Sequence, residues 1–151
     1  MNTKETPSNG GGSKDLVALR DMGKRKRRAL GQFGSMITCA TGRSPWDFYG
    51  YGCWCGFGGQ GQPVDPLDEC CFHHDRCYDR LVSDNVCSRA GLYWWSYVYS
   101  EQNCQESTPP VITCYKSRNA CAEGLCQCDR QAALCFAGQS YNDEHKANSN
   151  C

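Results

Sequence analysis

The chain has 151 residues, the size of one domain, with zero formal net charge and 14 cysteines, about 9% of its residues. That cysteine content marks a disulfide scaffold made for an oxidising, extracellular setting. It argues against a zinc fold, whose ligands come as compact CxxC pairs; the near neighbours here are Cys53/Cys55, Cys70/Cys71 and Cys126/Cys128.

Overall neutrality hides an asymmetry. Residues 1–28 carry eight Lys/Arg and three Asp/Glu, net +5, whereas residues 29–151 carry eight and thirteen, net −5. Residues 1–15 are polar and include Asn9-Gly10-Gly11-Gly12-Ser13, which reads as a flexible linker. The longest apolar run near the start, Leu16-Val17-Ala18-Leu19, is too short for the core of a signal peptide. Secretion is therefore inferred from the cysteines, and the export signal is expected outside these 151 residues. Next comes Gly23-Lys24-Arg25-Lys26-Arg27-Arg28, which resembles a site cut by furin-type processing proteases. The alternatives are a nuclear-localisation or heparin patch, or a basic arm that binds nucleic acid. With a disulfide domain behind it, processing is the favoured reading. It implies a processing protease acting after Arg28, a removable basic pro-segment 1–28, a mature domain 29–151 starting at Ala29, and no nucleic-acid partner.

Leu30, Phe33 and Ile37 then fall at helical spacing and predict one short amphipathic helix. The glycine-rich residues 50–63 predict an irregular loop. From Pro66 to about Val82 the pattern is helical, with Asp65 as N-cap and Pro66 in the first turn. Residues 93–99 and 111–115, rich in aromatic and β-branched side chains around Pro109-Pro110, predict a small two-stranded wing. Residues 117–136 predict a further helix. The polar C-terminal stretch should fray unless Cys151 is tied down.

Cys70 and Cys77 on one helix, and Cys128 and Cys135 on the other, are each two turns apart and so share a face. Antiparallel packing would join 70 to 135 and 77 to 128. His74 sits between the rungs and must look toward the facing helix, with Asp129 near the same level. A histidine facing a core is most often only a packed core residue. The adjacent acid Asp75 and the nearby glycine loop strengthen the functional reading. Asp129 could fix which imidazole nitrogen carries the proton. Asp75 and the carbonyls of residues 54–59 are hard oxygen donors, suited to Ca²⁺ rather than zinc.

The run Tyr51-Gly52-Cys53-Trp54-Cys55-Gly56-x-Gly58-Gly59, followed by Asp68-x-Cys70-Cys71-x-x-His74-Asp75-x-Cys77-Tyr78, resembles the calcium loop and active-site helix of secreted phospholipases A2. The resemblance extends from Ala29 to Cys151. Ala29-Leu30-x-Gln32-Phe33, the position of Cys39 and the ending Tyr141-Asn142-x-Glu144-His145-Lys146 resemble the pancreatic-type, group I branch. It implies a mainly α, disulfide-rich fold: two long antiparallel stapled helices, a short N-terminal helix, a calcium loop and a two-stranded β-wing. The implied bridges are Cys39–Cys104, Cys53–Cys151, Cys55–Cys71, Cys70–Cys135, Cys77–Cys128, Cys87–Cys121 and Cys114–Cys126.

The same resemblance implies calcium-dependent hydrolysis of the sn-2 ester of glycerophospholipids at a membrane surface. By it, His74 is the general base and Asp129 the acid behind it, with Tyr78 and Tyr97 as supporting hydroxyls. Asp75 and the carbonyls of Trp54, Gly56 and Gly58 are the calcium ligands, and the Gly56 N–H faces the oxyanion. The freed amine of Ala29 and the side chain of Gln32 anchor the first helix, so residues 1–28 keep the enzyme latent. The sequence differs from the family pattern at Trp54, where tyrosine is commoner, at Gly31, where pancreatic-type enzymes often have tryptophan, and between Cys87 and Cys104. The contending reading is a non-catalytic ligand on the same fold, in which the histidine or calcium aspartate is typically lost; both are present here. Tyr93-Trp94-Trp95, Phe57 and Leu30 are expected around the mouth of the cleft as the membrane contact.

Overall fold

The first described helix, α1 (Arg25–Thr41), runs through Arg28–Ala29 and starts at Arg25 rather than at Ala29. Lysine and arginine are good helix formers, so nothing in the basic run halts the helix at the expected boundary. The computed structural model describes residues 25–56, 58–147 and 150–151, with side chains from Leu30 onward. The linker and residues 1–24 of the basic segment, Phe57, and the side chains of Arg25–Ala29 lie outside the described residues. Along α1, Phe33, Met36, Ile37 and Ala40 follow the i, i+3, i+4, i+7 pattern and turn to the core, with Met36 and Ile37 buried. Leu30, two turns before Ile37, shares that face but is exposed.

Helix α2 (Pro66–Ser83) starts where the sequence predicts. The Asp65 side chain accepts from the Asp68 N–H at 2.8 Å, and Pro66 occupies the first turn, where its missing N–H costs nothing. A four-residue helix α3 (Gly91–Trp94) follows, then strands β1 (Tyr99–Gln102) and β2 (Val111–Cys114), and helix α4 (Ala120–Ala137), capped by Asn119. Cys70–Cys135 and Cys77–Cys128 staple α2 to α4 in antiparallel sense. α4 lies against both α1 and α2, and Leu67, Leu125, Ala133 and Phe136 fill the space between them. No described helix is long and apolar enough to cross a membrane.

The wing is shorter than predicted. β1 and β2 pair antiparallel, Tyr99 opposite Cys114 and Gln102 opposite Val111. Residues 93–98 are not strand, because the partner is only four residues long and a strand needs a partner for its backbone. Upstream, the Ser88 hydroxyl accepts from the Gly91 N–H at 3.0 Å and Leu92 buries itself, so a helical turn forms there instead.

The remaining bridges, Cys39–Cys104, Cys53–Cys151, Cys55–Cys71, Cys87–Cys121 and Cys114–Cys126, use every other cysteine. Cys53–Cys151 closes a separation of 98 residues, and in the chain-entropy model such a closure stabilises by about 4–5 kcal/mol. It also straps the polar tail down. The Gly52 N–H donates to the His145 carbonyl and the Ala147 N–H to the Gly50 carbonyl, both at 2.9 Å.

Candidate active site

His74 projects from α2 toward α4, and its Nε2 lies 2.8 Å from Asp129 Oδ1. Asp129 is buried and accepts two further hydrogen bonds of 2.6 Å, from the Tyr78 hydroxyl on Oδ1 and the Tyr97 hydroxyl on Oδ2. Burial, reinforced by the Asp129 charge, pushes both phenols well above their ordinary pKa, so they remain donors throughout the physiological range. Surrounded by donors, the carboxylate acts as acceptor toward the imidazole as well. Nε2 therefore carries the proton and Nδ1 keeps a free lone pair. Phe33 stacks on the imidazole with centroids 4.4 Å apart and planes 14° from parallel, which holds the ring in one orientation.

Gln32 reaches this network through a backbone. Its Nε2 donates to the Tyr97 carbonyl at 2.7 Å and its Oε1 accepts from the Tyr97 N–H at 3.1 Å. The side chain of Ala29 is outside the described residues, and in the uncut chain its nitrogen is an amide within α1.

His74 and Asp75 both line one cleft of about 740 Å³, together with Trp54, Gly56 and Tyr93. Gly58 is not in its wall. Burial pushes the Asp75 carboxyl up to about 6. Among the described residues no hydrogen bond or ion pair is made to that carboxylate, and none is donated to the carbonyls of Trp54, Gly56 or Gly58. A half-buried, unpartnered carboxylate beside free carbonyls is an oxygen-only donor set, and its chemistry fits Ca²⁺. His73, by contrast, is exposed, and among the described residues Phe72 is the one ring it meets.

Sequence reasoning missed Asp68 as a functional residue. It is fully buried and accepts from three backbone N–H groups of the loop: Cys53 at 2.8 Å, Trp54 at 2.8 Å and Val64 at 2.9 Å. A Cβ on Gly52 would sit 2.4 Å from its carboxyl carbon, so glycine is required there. The available signal was an acid three residues after the N-cap Asp65, which reads as ordinary capping.

The rim of the cleft differs in part from expectation. Leu30 and Tyr93 line it, but Trp94 and Trp95 do not. Trp94 is exposed away from the cleft, and Trp95, following the turn of α3, packs against the core. Trp46 and Tyr49 take part instead; Trp46 is 74% exposed, and the two rings meet edge to face at 6.0 Å. The Lys146 ammonium donates to the carbonyls of both residues and so fixes their loop to the C-terminal tail. The signal was Ser44-Pro45-Trp46, a capped turn that throws its aromatic outward.

Residues 30–146 match the family model described as phospholipase A2. The chain is 47% identical over 115 residues to acidic phospholipase A2 4 of Naja sagittifera, covering 76% of this chain and 84% of the relative. Identity to acidic phospholipase A2 2 of Naja naja is also 47%, over 117 residues, 77% of this chain and 91% of the relative. To acidic phospholipase A2 PL-II of Walterinnesia aegyptia it is 47% over 118 residues, 77% and 80% respectively.

Proposed function

We propose, from the premise that the chain belongs to the phospholipase A2 family, that His74 is its general base, Asp129 the acid that orients it, and Asp75 the carboxylate that holds its calcium. The activity itself is hydrolysis of the sn-2 ester of phospholipids, and calcium dependence is general in the family. One observation supports the assignment above all: the His74–Asp129 pair opens onto the same cleft as the unpartnered carboxylate of Asp75.

In this reading His74 Nδ1 takes a proton from a water as the water oxygen bonds to the sn-2 carbonyl carbon. Asp129 steadies the imidazolium that results, and Tyr78 and Tyr97 keep Asp129 in place. The Gly56 N–H donates to the carbonyl oxygen as negative charge develops there. Collapse breaks the bond to the glycerol oxygen, which receives the proton from the imidazolium; lysophospholipid and fatty acid leave. Asp75 and the carbonyls of Trp54, Gly56 and Gly58 would hold calcium, which when bound would supply a Lewis acid for the ester carbonyl.

Members of the family act on phospholipid membrane surfaces, and seven bridges belong to an oxidising compartment. On that footing we assign the protein to the secreted enzymes. The Cys39–Cys104 bridge and the ending through Tyr141 and Lys146 favour the group I, pancreatic-type branch. Removal of residues 1–28 after Arg28 is part of the same proposal. The test is fatty-acid release from phospholipid vesicles with calcium and with excess chelator, by wild type and His74→Gln. Release that survives either change would refute the assignment of residues.

A further inference from the structure

We propose that Gly31 is a specificity-determining position, whose missing side chain leaves room at the cleft mouth for a bulky sn-2 acyl chain bent by several cis double bonds. Helix α1 presents two glycines to the cleft, Gly31 and Gly34, three residues apart and so on neighbouring parts of one face. Glycine within a helix is unfavourable relative to alanine, so each should bring a compensating gain. For Gly34 the gain is packing. A Cβ there would lie 3.1 Å from Pro45 Cγ, and this close approach seats the Pro45–Asp47 turn that carries Trp46. Gly31 has no such neighbour. Its backbone is helical, and a Cβ on it would meet no atom within 4 Å. Neither turn geometry nor crowding requires glycine at that point.

The open space in front of Gly31 is the cleft itself. Leu30, Phe33 and Ile37 make the α1 wall of that cleft apolar. Phe33 stacks on the His74 ring, so this wall runs from the imidazole out to the exposed pair Leu30 and Gly31. An acyl chain whose ester carbonyl lies at His74 follows it outward. Among the described residues lining the cleft there is no lysine or arginine, so the space at Gly31 suits hydrocarbon better than an anionic headgroup. A chain with several cis double bonds sweeps a wider path than a straight saturated one. Glycine leaves that width open, and a large side chain at the same point would close it.

This inference rests on the active-site reading proposed above, and the experiment separates the two. Mixed micelles of a nonionic detergent, with calcium present, carry two phosphatidylcholines that differ only in the sn-2 chain, docosahexaenoyl or palmitoyl. The two released fatty acids are counted by mass spectrometry for the full chain as wild type, Gly31→Leu and Gly31→Trp. Because both lipids share one surface, adsorption and latency cancel in the product ratio, which reads relative kcat/KM. Gly31→Trp should lower the docosahexaenoyl-to-palmitoyl ratio about tenfold, and Gly31→Leu about threefold. A second pair with one sn-2 chain and different headgroups, phosphatidylcholine and phosphatidylglycerol, should keep its ratio. An acyl ratio within about twofold of wild type in Gly31→Trp would overturn the inference, as would a shift that follows the headgroup instead of the chain. If that variant does not fold, Gly31→Leu carries the test by the same limit. If wild type released neither fatty acid, the active-site reading would fall and the inference with it.

Discussion

The side chain of Gln32 grips the backbone of Tyr97 from both sides, donating to its carbonyl and accepting from its N–H. The Tyr97 hydroxyl in turn donates to Asp129, which holds His74. Helix α1 is thereby wired to Asp129 through one amide. Gln32→Ala removes both bonds and should lower turnover about three- to tenfold on vesicles and on monomeric lipid alike, since about 1 kcal/mol per hydrogen bond is at stake. Unchanged turnover on both substrates would show that Tyr97 is held without it.

His74→Gln removes the proposed base and should reduce kcat by about 10²- to 10⁴-fold while direct calcium binding persists. Asp129→Asn removes orientation but leaves the imidazole, so its loss should be smaller. His73→Gln, next door but exposed, should behave as wild type. Should His73→Gln prove the more damaging change, the base has been misassigned.

Calcium binding should depend on pH through Asp75. Burial raises its pKa from 3.8 to about 6, and the metal binds only the ionised carboxylate. Above about pH 6 no proton need leave. Below it the apparent affinity should drop about tenfold per pH unit. An ordinary aspartate would hold its affinity down to about pH 4, so calorimetry at pH 5 and pH 7.5 distinguishes the cases. Asp75→Lys should abolish turnover, and seven bridges should preserve the fold.

Adsorption to lipid should rest on aromatic rings more than on charge. Residues 29–151 are net −5, while Trp46, Tyr49, Leu30 and Tyr93 line the cleft. Such rings favour the headgroup region. Trp46→Ala with Tyr49→Ala should lower vesicle activity and spare activity on monomers, with weak dependence on salt. The two tryptophans first expected there, Trp94 and Trp95, should matter less when replaced together. Binding that requires anionic lipid and collapses in salt would contradict this.

Cleavage at Arg28–Ala29 should raise activity on vesicles far more than on monomeric lipid. In the uncut chain Ala29 is an internal residue of α1 and offers no charged amine. The comparison uses the full chain before and after proteolysis; equal vesicle activity in both would rule out latency.

Features set by local periodicity were legible in the sequence. Cysteines seven residues apart share a helix face wherever the helix packs, so the rungs at Cys70, Cys77, Cys128 and Cys135, with His74 between them, could be placed from spacing alone. The caps at Asp65 and the proline after it are equally local. The segment 93–98 was misread because its strand propensity is realised only beside a partner, and β2 ends too soon to supply one.

By itself the sequence determined a disulfide-stapled helical pair carrying a histidine and an oxygen-rich loop, since backbone period and side-chain chemistry suffice for that. Only the tertiary structure decided that Gln32 meets Tyr97 65 residues away, that Asp68 turns inward to hold three loop amides, and that Trp46 rather than Trp94 stands at the rim. Each of these depends on where distant segments come to lie, and a buried carboxylate or an exposed indole is chosen by the partners it finds there, not by its neighbours in the chain.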